Sequence, residues 1–120
     1  MDKEPTAQHW LFKATNVLAR VTGAELRFSV SMSVNDITML AAADELEVAT
    51  REAMVWTGAN ACPDQEVGGR VLLMLRTCAE VALTAQWAIT DPDVETSGVV
   101  GRLGDLLAII DFHWQTLAAW

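Results

Sequence analysis

The side chains that most often do chemistry are sparse in this chain, and their spacing limits what they can do. Two histidines, His9 and His113, stand near opposite ends, and the cysteines are Cys62 and Cys78. Nucleophilic catalysis needs a Ser, Cys or Thr beside a base, usually a histidine oriented by an acid. Asp111 and His113 are two apart, so on a helix they point to different sides. No catalytic set is legible, and the sequence favours a non-enzymatic role.

Metal and cofactor chemistry fares no better. Carboxylate-bridged metals in helical bundles need Glu-x-x-His pairs projecting inward, and none occurs. The Glu-x-x-Glu and Glu-x-x-Asp pairs that hold magnesium in all-α nucleotide pyrophosphatases are also missing. Asp44 and Glu47 come nearest, yet Glu47 with Arg51 fits an ordinary i,i+4 surface pair. Neither cysteine lies in a CxxC or Cys/His spacing suited to zinc. The run Val67-Gly68-Gly69-Arg70 lacks the strand and the Lys-Ser/Thr that make a phosphate loop. We expect no metal and no cofactor.

One acid stands out. Glu80 sits in the most apolar part of the chain, with Arg76 one turn earlier as an available partner and Thr77 and Thr84 in the same sector. It reads either as part of a narrow polar stripe or as the anchor of a ligand pocket. Arg76, Glu80 and Trp87 are the candidate ligand residues of such a pocket.

Charge sets the choice of partners. Sixteen acidic residues against eight basic ones give a net charge of −8 in a chain that is 52% hydrophobic. Phosphate backbones and anionic lipid surfaces repel such a chain, so direct nucleic-acid or membrane binding is disfavoured. The start, Met1-Asp2-Lys3-Glu4-Pro5, lacks the basic and apolar stretches of a signal peptide. The apolar run from Val71 to Ile89 is broken by Arg76 and Glu80, which suits a buried helix better than a membrane span. Reduced thiols and a cytoplasmic location are the expectation, with Cys78 buried and Cys62 the accessible thiol.

These residues must be positioned by helices. A chain of 120 residues fits one domain, read here as 1–120. Punctuation at Gly23, Gly58 to Pro63 and Thr90 to Gly98 leaves four segments of helical periodicity. The first runs from about Ala7 to Thr22, capped by Thr6 and stopped at Gly23, with Ala7, Leu11, Ala14, Leu18 and Val21 as its seam. The second spans about Val34 to Thr57, with Ser33 and Asp36 as a capping box and Met32 with Ile37 as a staple. The third spans about Gln65 to Thr90 behind an Asp64 cap, apolar on nearly every side and hence surrounded by neighbours. The fourth begins between Pro92 and Gly98 and carries the seam Val100, Leu103, Leu107, Ile110, Trp114 and Leu117. Heptad-like spacing in all four predicts an all-α, four-helix bundle-like domain.

Residues 26–34 break that pattern. Leu26, Phe28, Val30, Met32 and Val34 alternate with Arg27 and three serines, which is period two and reads as strand. A lone strand cannot satisfy its backbone groups. Three outcomes follow: an extended crossover, pairing with a second subunit, or a helix with Leu26, Val30 and Val34 on one face.

The five tryptophans add a second oddity. Trp56 and Trp114 fall in seams, Trp10 and Trp87 are assignable to core or rim, and Trp120 is last in the chain. Ile109, Phe112 and Trp120 point away from the fourth seam and form a second apolar strip. Such a strip needs a cover, either from the first helix or from a partner. The leading functional expectation is therefore a non-enzymatic helical interaction domain that forms a homodimer or docks a protein partner. Two alternatives stand beside it. One is a small-molecule-binding bundle with a Met- and Trp-lined pocket. The other is an acidic inhibitor that imitates nucleic acid through Asp44, Glu45, Glu47, Glu52 and the Asp91/Asp93/Glu95 loop.

Overall fold

Over residues 6–120, which the computed structural model describes, the chain folds as four helices: α1 (Ala7–Ser31), α2 (Asp36–Ala59), α3 (Gln65–Thr90) and α4 (Thr96–Ala118). Three of the four starts are capped by short polar side chains that answer otherwise orphaned N–H groups. Thr6 accepts from the His9 amide, Asn35 from Thr38, and Asp64 from both Glu66 and Val67. Each cap contributes about 1 kcal/mol to its helix. Glu95 precedes α4 and makes no such bond.

The largest departure from expectation lies in α1, which runs through Gly23 to Ser31, so residues 26–31 are neither strand nor crossover. A glycine inside a helix costs about 1 kcal/mol. The extension buries Ala24 and Phe28 completely, and one buried phenylalanine returns roughly 1.5–3 kcal/mol. The period-two alternation is resolved by placing Phe28 inward while Leu26 and Val30 face solvent. Ser31 donates to the Phe28 carbonyl at 2.6 Å, and Ser33 to the Val30 carbonyl at 3.0 Å. These local bonds finish the helix. Ser33 is thereby unavailable to cap α2, and Asn35 takes that role. Ile37 is strongly exposed, so the expected staple with Met32 does not form.

Sequential helices pack closely: α1 on α2, α2 on α3, and α3 on α4. Cross-links fix the antiparallel register. Trp10 of α1 meets Trp56 near the end of α2, whereas Arg27 meets Glu45 near its beginning. Arg70 lies against His113, and Arg102 pairs with Glu80. The core is the sum of the four seams, and α3 contributes the most to it, from Val67 and Val71 through Met74, Cys78 and Val81 to Ala88. By length and composition α3 is also apolar enough to cross a membrane; one side of it is spent in this core. α1 and α4 are the exception among adjacent pairs, since their backbones approach far less closely than the other three.

Candidate functional site

The α4 strip is open. Ile109 is 45% exposed, Phe112 62% and Trp120 39%. Gln8 at the start of α1 only reaches the Trp120 carbonyl, at 3.1 Å. The register set by the Arg70–His113 and Arg102–Glu80 contacts brings Leu73 of α3, also exposed, to the level of Ile109. A patch of three large apolar side chains thus lies across the α3–α4 groove, with polar groups at both ends. At one end the Arg70 guanidinium stands 5.9 Å from the centre of the Phe112 ring, a cation–π distance. The same guanidinium is 3.1 Å from His113 Nδ1. Burial, and then the Arg70 charge, lower the His113 pKa, so the neutral ring accepts at Nδ1.

The three residues expected around a ligand separate. Arg76 lines a cleft of about 430 Å³ with Trp10, Met54, Cys62, Val71 and Leu72. Glu80 is outside it and pairs with Arg102 of α4 instead of Arg76, an exposed bridge that closes the α3–α4 groove. One turn apart on a helix, Arg76 and Glu80 had the spacing to pair, but Arg102 approaches Glu80 from the neighbouring helix. Trp87 is 54% exposed near the far end of α3 and does not line the cleft.

The acids proposed to imitate phosphates are largely spent on partners. Glu45 pairs with Arg27, Glu47 with Arg51 and Glu52 with Arg20. Asp44 accepts from the Gln86 amide at 2.8 Å.

One feature escaped the sequence reading. Glu25 is 7% exposed and faces Asp111 of α4 across the α1–α4 seam. Among the described residues neither acid has a basic partner. Burial, and then the adjacent carboxyl of Asp111, push the Glu25 pKa up to about 8. At neutral pH the pair therefore holds a proton. Burial, with these two acids behind it, also pushes the Cys78 thiol up to about 12, so it is an inert core residue. The signal for Glu25 was in the sequence. Continuing the spacing of Leu11, Ala14, Leu18 and Val21 past Gly23 arrives at Glu25 and then Phe28. Ending the helix at Gly23 hid both.

Among the described residues no group of three or more His, Cys, Asp or Glu side chains is placed to hold a metal ion. Cys78 is buried and Cys62 is partly exposed. Compared with family models, curated proteins and solved structures, the chain matches none of them, so its functional reading rests on its own geometry.

Proposed function

We propose that the chain is a helical interaction domain that forms a homodimer through the α3–α4 face, centred on Ile109, Phe112 and Leu73. The observation that carries this reading is the α4 strip, whose large apolar side chains remain between 39% and 62% exposed. A second copy is the occupant favoured by symmetry, because a two-fold axis places the same patch on both sides of one interface. Charge agrees with it. In a chain of net charge −8, two copies meet with least repulsion where the surface is apolar and its nearby charges are mixed, here Arg70, Arg102, a paired Glu80 and Asp105 one turn before Ile109.

The energetics suffice for a moderate affinity. Two aliphatic side chains and one aromatic place on the order of 300 Å² per copy at the centre of the contact. At about 25 cal/mol per Å² the gross gain is several kcal/mol per copy, part of which the lost freedom of association cancels. Light scattering at high micromolar concentration should give the mass of a dimer. Changing Ile109→Gln and Phe112→Gln together should shift it to monomer, with helical circular dichroism unchanged. A monomer before any substitution overturns the reading.

A further inference from the structure

We infer that the cleft between the end of α2 and the start of α3 binds a small amphipathic monoanion, a carboxylate head on an apolar body of on the order of ten carbons. Arg76 would hold the head.

The charge distribution argues first. Five of the six arginines are engaged: Arg20, Arg27, Arg51 and Arg102 with carboxylates, and Arg70 with His113 and Phe112. Arg76 alone has no hydrogen-bond or ion-pair partner among the described residues, and no acid lines its cleft. A second cleft makes the contrast. It has nearly the same volume, about 420 Å³, and lies between α1 and α2. Its two arginines are both paired, Arg27 with Glu45, which lines it too, and Arg20 with Glu52, and Asp44 adds further negative charge. With acids outnumbering bases two to one, a cleft holding a lone arginine is the place an anion would select.

The walls argue next. Trp10 forms one side and is held rigidly, its indole N–H donating to the Asn60 carbonyl at 2.7 Å and its ring 5.6 Å from Trp56. Met54, Val71 and Leu72 supply apolar surface from α2 and α3. Two glycines line the cleft, one beside open space and one where Cys62 packs closely. A Cβ on Gly58 would meet nothing within 4 Å, while one on Gly68 would come within 3.0 Å of the Cys62 Cβ. The volume of about 430 Å³ suits a ligand of this size, and guanidinium matches carboxylate in geometry as well as charge.

Decanoate, used below its micelle concentration, is the probe, and decanol is its uncharged match. Titration followed by tryptophan emission should saturate for decanoate at submillimolar concentration. Arg76→Gln should weaken binding at least tenfold, and decanol should bind the unmodified protein no better than decanoate binds that variant. Gly58→Trp, which puts a large side chain at the cleft wall without removing a contact, should weaken binding at least tenfold. Cys62 lines the same cleft, so bound decanoate should slow its alkylation severalfold. Failure to saturate, equal binding of decanol, or saturation without protection of Cys62 would each overturn the assignment. None of these outcomes depends on the α3–α4 face, so the dimer and the ligand site stand or fall separately.

Discussion

The two flanks of α1 are closed by opposite means. Toward α2, Arg20 and Arg27 meet Glu52 and Glu45 in exposed ion pairs. Toward α4, Glu25 meets Asp111, acid against acid, with no basic partner among the described residues and little water on Glu25. The first arrangement is tolerant, because solvent screens each charge and either partner alone stays hydrated. The second is sensitive, because its contact exists only while a proton is held between the carboxyls. Sequential packing explains why the weaker closure falls here: α1 and α4 are joined through two intervening helices, and they approach less closely than the sequential pairs.

The sharpest way to break this comparison is pH. Glu25 carries a folded pKa of about 8 against an ordinary 4.5, so between those values the folded chain holds more protons than the unfolded one. Its contribution is fully present below pH 4.5 and is lost as pH rises through about 8. At 1.36 kcal/mol per unit the loss across that window is at most about 5 kcal/mol. His113 works in the opposite sense, since its lowered pKa costs stability as pH falls below the ordinary histidine value. The difference between the unmodified chain and Glu25→Gln isolates the acid pair. Urea unfolding at pH 5.5 and pH 9 should show stability falling with pH in the unmodified chain, and the fall should largely vanish in Glu25→Gln. A flat difference between the two chains would mean the carboxyls do not share a proton.

The next effect in size separates the faces of the upper half of α1. Phe28 is fully buried, and Phe28→Ala should cost about 3–5 kcal/mol through lost burial and a residual cavity. Leu26→Ala and Val30→Ala, on the exposed face, should each stay within about 0.5 kcal/mol. Comparable losses at all three positions would restore an extended or intermolecular arrangement for this segment.

Those residues also show what the sequence made legible. Four helices, the Asp64 cap, the extent of α3 and the burial of Cys78 all followed from apolar spacing and punctuation, because local signals and tertiary burial agreed there. They disagreed at Gly23 and in the stretch from Leu26 to Val34. Glycine and alternating serines argued locally for a break, and the burial of Phe28 outweighed them. The candidate sites were legible only in part, for a related reason. Ile109, Phe112 and Arg76 were singled out by their place on one helix, which spacing reveals. The partner of Glu80, the separation of Trp87 from Arg76, and the pairing of Glu25 with Asp111 depend on which helices become neighbours. No spacing within one helix encodes that.

The smallest expected effect tests the tolerant flank. The Arg27 Nε lies 2.5 Å from Glu45 Oε1, and both side chains are about half exposed or more. Such pairs lose little water on forming, but they immobilise two long side chains and are screened by salt. A double-mutant cycle with Arg27→Ala and Glu45→Ala should therefore give a coupling of about 0.2–1 kcal/mol in low salt. At 1 M salt, where the screening length falls to roughly 3 Å, the coupling should approach zero. The Glu25–Asp111 contact should respond less to the same salt, because Glu25 is buried and takes part in it as a neutral acid. A coupling at Arg27–Glu45 well above 1 kcal/mol would mean that the α1–α2 flank is held by its charges. The distinction between a tolerant and a sensitive side of α1 would then be lost. A small, salt-labile coupling leaves the α1–α2 contact to its apolar residues, among them Leu18, Val21 and Leu46.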